Sequence, residues 1–177
     1  MRSVFAGALV AGLMLAIASI AARQTSTAAP QGFSAPGLWF GTVFYGDPAD
    51  PSTPTERFTA RVAQDGTYIV DSTAETGSHP LNPGAKTPEH GVWSRHDLHL
   101  TNRGIWFDEG GGGAGFSVGI SVGQLEFAGP DQLNGLFDVA FLPCPGGPAG
   151  CPDPTGLTPL QLGDGLGPFP VTLRRIR

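Results

Sequence analysis

The chain has 177 residues, among them 27 glycines and 17 prolines, and a formal net charge of −5 at pH 7. Its ten lysine and arginine residues are scattered, so no basic stripe is available to neutralise phosphates, which excludes nucleic acid as a partner. The sequence also contains no basic amphipathic helix of the kind that binds membrane surfaces.

The N-terminal segment differs from the rest of the chain. Arg2 precedes an almost wholly apolar run from Val4 to Ala22, with small residues at Ser19 and Ala21. This pattern predicts a signal helix over residues 1–22 that is removed on export, and therefore a secreted or periplasmic protein with no membrane association after cleavage. The alternative is an uncleaved anchor, because the run approaches the length of a membrane-spanning helix.

The remaining chain divides into a linker and one domain. Residues 23–36 are rich in Ser, Thr, Ala and Pro, which predicts a flexible lead-in. Residues 37–177 are enough for a single domain with its own core.

The two cysteines, Cys144 and Cys151, enclose the loop PGGPAG. In an exported protein this spacing predicts a disulfide, and closing so short a loop contributes about 2.5 kcal/mol in the chain-entropy model. A metal centre would need more ligands than two thiolates.

Strand-like runs bounded by turn residues follow one another along the domain, and no capped amphipathic helix interrupts them. The Asp65–Gly66 pair predicts a type I′ hairpin turn, Gly129–Gln132 a second tight turn, and Gly110–Gly113 a flexible hairpin tip. The predicted strands are Leu38–Tyr45, Thr55–Ala63, Thr67–Thr73, His90–Arg95, Asp97–Phe107, Gly115–Phe127, Gln132–Leu142 and Pro170–Ile176.

Eight strands joined mostly by short turns predict an all-β fold, an eight-stranded antiparallel up-and-down barrel. A two-sheet sandwich also fits, because some strands carry apolar residues on both faces.

The stretch GFSVGISVG, Gly115–Gly123, contains the G-x-S-x-G pattern of a hydrolase nucleophile elbow twice. Here Ser117 and Ser121 alternate with bulky residues, which predicts one strand with a bulky face and a small face rather than a strand–turn–helix. Which face points inward stays open. Farther along the strand, the apolar residues move from one alternating set of positions to the other, which predicts a bulge near Gly123.

The histidines and carboxylates predict no metal site and no catalytic residue. His96 and His99 are three apart and would point to opposite faces of a strand, while His79 and His90 flank a Pro/Gly loop. Asp138 is expected on the outer face of its strand, because an unpaired carboxylate is costly in an apolar interior.

The domain resembles the calycin superfamily of lipocalin-like barrels. Gly37 and Trp39 match the Gly-x-Trp of the family's first strand, and Arg174 or Arg175 matches the arginine that packs over that tryptophan. The resemblance implies a structural role for these four residues, with a cation–π contribution of about 0.5–2 kcal/mol. The family's usual helix before the last strand is replaced here by the Pro/Gly segment Pro143–Gly167.

The chain is also similar to a loose group of small exported bacterial barrels that share F…DGT and a later GxW. The matching residues are Phe58, Asp65–Thr67 and Gly91–Trp93.

These features predict an exported barrel that binds a small apolar molecule without a cofactor, since eight strands lie at the threshold for an internal cavity. The alternatives are a cyclase- or isomerase-type enzyme and a protein-interaction module of the cell envelope, and an oligomer stays open. Ligand orientation is expected to depend on Tyr68 or His99 rather than on ion pairs. Because side chains alternate, only some candidate lining residues can face inward; the candidates are Trp39, Phe44, Tyr68, Trp93, His99, Phe116 and Phe137.

Overall fold

A computed structural model of the chain describes residues 32–77, 84–110 and 115–177. The predicted signal helix over residues 1–22, His79 and most of the Gly110–Gly113 tip lie outside these ranges. No helix within them is long and apolar enough to cross a membrane. The strands are β1 (Gly37–Phe44), β2 (Thr55–Val62), β3 (Thr67–Ser72), β4 (Glu89–His96), β5 (His99–Glu109), β6 (Phe116–Gly129), β7 (Gln132–Pro143) and β8 (Leu166–Arg175).

The strands form a closed barrel in chain order. Each pairs antiparallel with the next, and β8 returns to pair with β1 from Trp39 opposite Arg175 to Val43 opposite Val171. This topology confirms the predicted eight-stranded up-and-down barrel and excludes the two-sheet sandwich. Closure also removes the free sheet edges that an open meander would expose.

Both predicted tight turns join the expected strands, but the backbone of the first is not the predicted type I′ turn. Ala63 N–H donates to the carbonyl of Thr67 at 2.9 Å, which encloses three residues, and only Gly66 of these has a positive φ, of 87°. A type I′ turn needs positive φ at both central residues, so that prediction is wrong. The second turn pairs Gly129 with Gln132.

In β6 the Gly/Ser face is the inner one. Ser121 lines the lumen, whereas Val118 and Ile120 pack with Cys144 in a separate cluster outside the barrel. Ser117 and Ser121 thus lie on one uninterrupted strand from Phe116 to Gly129, which lacks the turn and helix of a nucleophile elbow.

The bulge predicted near Gly123 is wrong. Pairing of β6 with both neighbours runs unshifted from Ser117 to Glu126, and the irregularity lies between Phe127 and Gly129. The apolar pattern changes phase for a different reason. The outer face is covered only along the first half of β6, and beyond it the inner residues Leu125 and Phe127 carry the apolar side chains.

That cover is the segment between β7 and β8, residues 144–165. It begins with the predicted Cys144–Cys151 disulfide, and Leu157 and Leu160 pack on the outer faces of the strands beneath it. The segment carries two short 3₁₀ turns, Pro148–Gly150 and Pro154–Gly156.

Asp138 lies on the outer face of β7, as its alternation predicts, but it is fully buried under this segment. The Gly163 N–H donates to its carboxylate there.

One end of the barrel, the base, is closed by Trp39 and Arg175. Trp39 is fully buried, and the guanidinium carbon of Arg175 lies 4.3 Å from the centroid of its ring. Arg174 is exposed on the opposite face of β8, so Arg175 is the partner that the sequence left undecided. A Cβ at Gly37 would collide with the Arg175 guanidinium, which explains the glycine.

Residues 33–36, at the end of the predicted lead-in, pack against the base of the barrel. Ala35 is buried in the core, and its carbonyl accepts a hydrogen bond from Trp39 Nε1 at 2.8 Å. The carbonyl of Phe33 accepts another from Arg95 Nη1 at 2.7 Å. These two backbone carbonyls accept hydrogen bonds from side-chain donors at the base. The composition of the segment gives no sign of this role.

Candidate functional site

The barrel encloses a cavity of about 120 Å³. Every strand contributes to its wall, and most of that wall is aliphatic or aromatic. The apolar lining residues are Ala35, Val43, Phe58, Ala60, Val62, Val70, Trp93, Leu100, Trp106, Leu125, Leu133, Phe137, Val139, Val171 and Leu173.

Tyr68 crosses the cavity wall because two neighbouring strands carry glycine beneath it. Tyr68, Gly91 and Gly104 lie in register across β3, β4 and β5. A Cβ at Gly91 would collide with the tyrosine ring, and one at Gly104 with the tyrosine hydroxyl and the Glu89 carboxylate. The two glycines therefore allow the ring to lie flat across β4 and β5 and bring its hydroxyl group to Glu89.

Glu89 is the centre of the first polar group. Its Oε1 accepts hydrogen bonds from the hydroxyl groups of Tyr68, at 2.5 Å, and Ser121, at 2.7 Å. Asn102 Nδ2 donates to the Tyr68 hydroxyl at 3.2 Å. Four strands, β3 to β6, thus place one donor or acceptor each at a single point of the wall.

A buried ion pair forms the second polar group, at the far end of the lumen from the base. Lys86 Nζ lies 3.2 Å from Glu56 Oε1, and both side chains are only 6% exposed. Tyr45 donates its hydroxyl to Glu56 Oε2 at 2.5 Å. The ammonium group also lies 5.1 Å from the centroid of the Trp106 ring, whose Nε1 donates to Asp108 at 3.2 Å.

The backbone around Lys86 explains how a residue outside the eight strands enters the lumen. Lys86 forms an isolated bridge with Asp108, and Thr87 N–H donates to the Phe107 carbonyl at 2.9 Å. This short extension of the sheet holds the lysine across the far end of the barrel.

Both tyrosines of the site stay protonated at physiological pH. Burial, followed by the negative charge of Glu89, raises the pKa of Tyr68 well above its usual value. Burial and the neighbouring Glu56 likewise raise the pKa of Tyr45. Each phenol is therefore a hydrogen-bond donor to a carboxylate.

Three of the seven candidate lining residues lie in the cavity wall: Tyr68, Trp93 and Phe137. Trp39 points inward but lies in the core at the base. Phe44, His99 and Phe116 belong to the outward sets of β1, β5 and β6, so the structure does not bring them into the lumen.

The lumen contains polar side chains and a buried ion pair that the sequence did not lead us to expect. Five polar residues that were not among the predicted site residues also line the cavity: Glu56, Lys86, Glu89, Asn102 and Ser121. A signal was available for some of them: a polar residue in phase with the inward apolar residues of its own strand. Glu56 is in phase with Phe58 and Ala60, and Glu89 with Trp93.

The histidines of the described ranges lie outside the lumen. His96 Nδ1 is 3.4 Å from Asp97 Oδ2, with the histidine side chain 92% exposed. Within the ranges that the structure describes, no three His, Cys, Asp or Glu side chains come close enough to hold a metal ion.

Comparisons with protein-family models, with curated proteins and with solved structures found no match for this chain.

Proposed function

We propose that this protein is an exported barrel that binds a small, largely apolar molecule in its lumen. The observation that supports this best is the cavity of about 120 Å³, walled by apolar side chains with a few convergent polar groups. Such a composition is typical of small-molecule sites. Its size approaches that of the roughly 150 Å³ cavity known to admit benzene, so the ligand is expected to be small.

Two further features support export and kinship with the calycin barrels. The apolar N-terminal run is typical of a signal peptide, and the Cys144–Cys151 disulfide fits an oxidising compartment. The stacking of Arg175 on Trp39 is the arrangement that the resemblance implies, and it supports the proposal of kinship.

The test is native mass spectrometry of the protein from its own host, combined with titration of the purified protein by benzene, toluene and indole. We expect a retained small molecule, or saturable binding of at least one probe. Val70→Phe should abolish binding because Val70 lines the cavity. Ile69→Phe, on the outer face of the same strand, is the matched control and should leave binding unchanged. No retained molecule and no bound probe would contradict the proposal.

A second candidate function, that of a cyclase or isomerase, is favoured by the placement of the Glu89 carboxylate and the Tyr68 phenol in an apolar cavity. Such a pair can exchange protons with a bound substrate. If the retained molecule is converted to an isomer by the wild-type protein, and Glu89→Gln stops conversion while binding persists, this function replaces simple carriage.

A further inference from the structure

We propose that the lumen selects a small organic amine, whose ammonium group binds at Glu89 while its hydrocarbon part packs against the aromatic wall. This inference rests on the proposed function and specifies the chemical class of its ligand.

The carboxylate of Glu89 has an acceptor position left for a ligand. Tyr68 and Ser121 both donate to Oε1, whereas no donor among the described residues contacts Oε2. Glu89 itself lines the cavity. Since an ionised carboxylate offers about four acceptor sites, a ligand N–H group in the cavity can bind there without displacing either hydroxyl.

The charges of the lumen favour a cation. The side chains of Glu56 and Glu89 line the cavity, and among the described residues of its wall Lys86 is the one cation. Lys86 is paired with Glu56. The arginines of the base are not among the residues that line the cavity. Arg175 stacks on Trp39 and pairs with Asp131, and Arg95 lies over the ring of Phe127.

The lumen already holds one ammonium group between a carboxylate and an aromatic ring. That of Lys86 lies between the Glu56 carboxylate and the face of Trp106, 3.2 Å from one and 5.1 Å from the ring centroid of the other. Glu89 lines the same cavity as the rings of Trp93 and Trp106, so a ligand whose ammonium group binds this carboxylate has aromatic side chains within the same lumen. A carboxylate combined with aromatic faces is a favourable environment for an organic ammonium ion.

The experiment compares probes of one shape and different charge. Binding of benzylamine, benzyl alcohol, toluene and benzoate to the full protein is measured by calorimetry at neutral pH. We expect benzylamine to bind about tenfold tighter than benzyl alcohol or more, as a charge-assisted hydrogen bond should provide, and benzoate to be rejected.

Glu89→Gln should reduce the preference for benzylamine over benzyl alcohol to near unity while toluene binding is retained. Glu126→Gln, the same change on the exposed outer face of β6, is the matched control and should preserve the preference. If Glu89→Gln does not fold, the wild-type protein still decides the matter. Among the indole N–H signals of the three tryptophans, those of Trp93 and Trp106 should shift on addition of benzylamine, and that of Trp39 should not.

The possible results separate the two proposals. If toluene binds but benzylamine binds no tighter than benzyl alcohol, the amine inference is overturned and the proposed function stands. If benzylamine binds but shifts neither lumen tryptophan, the amine site lies elsewhere and the inference is likewise overturned. If no probe binds at all, the proposed function fails with it.

Discussion

Each tyrosine of this barrel donates its hydroxyl group to a glutamate carboxylate. Tyr45 bonds to Glu56 and Tyr68 to Glu89, both at 2.5 Å, and these are the chain's two tyrosines. Burial and the adjacent negative charge disfavour the phenolate, so both pKa values are raised above the ordinary value of 10.0. Ionisation of either phenol would place two negative charges side by side at the lumen wall.

The raised pKa values predict how stability depends on pH. A group whose pKa is raised by folding contributes stability that is complete below its unfolded pKa and is lost as the pH rises through its folded pKa. The free energy of unfolding should therefore decline above about pH 10. Tyrosinate absorbance should appear only together with unfolding. Titration of either tyrosine near pH 10 in the folded protein would contradict this account.

The base offers a second prediction at the scale of single residues. Trp39→Ala should lower the free energy of unfolding by about 3–5 kcal/mol, because it removes a fully buried indole. Arg175→Gln should cost about 1–2 kcal/mol through the lost cation–π contact and the hydrogen bond to Pro36. Chemical denaturation measures both changes.

Arg174→Gln is the control for this pair of substitutions. Arg174 is exposed on the outer face of β8, and the change should stay within about 0.5 kcal/mol. Equal effects at Arg174 and Arg175 would show that the stacking on Trp39 does not stabilise the base.

At the scale of elements, β4 and β5 are shaped by the side chain that lies across them. Gly91 and Gly104 are paired neighbours, and together they leave the inner surface of two strands low enough for the Tyr68 ring. The same sheet surface would exclude the tyrosine if either position carried a methyl group. The hydrogen-bond group around Glu89 thus depends on the absence of side chains as much as on their presence.

Gly104→Ala is therefore expected to destabilise the protein by about 1–3 kcal/mol, the usual cost of inserting a methyl group into a packed interior. It should also weaken ligand binding, because the new Cβ would displace the Glu89 carboxylate and the Tyr68 hydroxyl. Gly129→Ala is the matched control, since a Cβ there has no heavy atom within 4 Å. Thermal unfolding of the two variants should separate them, and identical melting temperatures would refute the packing argument.

At the scale of the whole molecule, the barrel is closed at its base by residues that precede its first strand. Phe33 packs edge-on against Phe127 with ring centroids 5.4 Å apart, and Ala35 is part of the main core. The carbonyls of residues 33–36 also accept hydrogen bonds from Arg95 and Arg175. The base is therefore built from both ends of the domain.

A comparison of two shortened chains tests this role. A chain that begins at Gly32 retains residues 33–36 and is the reference. A chain that begins at Gly37 should be less stable by several kcal/mol, because it loses a buried alanine, an aromatic contact and several hydrogen bonds. If both shortened chains were equally stable, residues 33–36 would be no part of the domain's core.

The resemblance to the calycin barrels implied a tryptophan–arginine base without choosing between Arg174 and Arg175. The sequence by itself determined the strand order and the disulfide, and it favoured a closed barrel over a two-sheet sandwich. These features depend on local signals: alternation along each strand, turn residues between strands, and two cysteines close in the chain. The eight predicted strands correspond one to one with β1–β8. The tight turns after β2, β4 and β6 leave the strands that they join little choice but to pair with each other.

Only the tertiary structure decided which face of each strand points inward, and so what the lumen contains. A period of two defines two faces but does not say which is inside. In β6 the bulky residues lie outside because the segment 144–165 covers them, a contact between parts of the chain that alternation cannot report. For the same reason Phe44, His99 and Phe116 were placed among the lining residues and lie outside. Lys86 enters from a loop, and the carboxylates of Glu56 and Glu89 could be recognised as buried partners only once the barrel had closed around them.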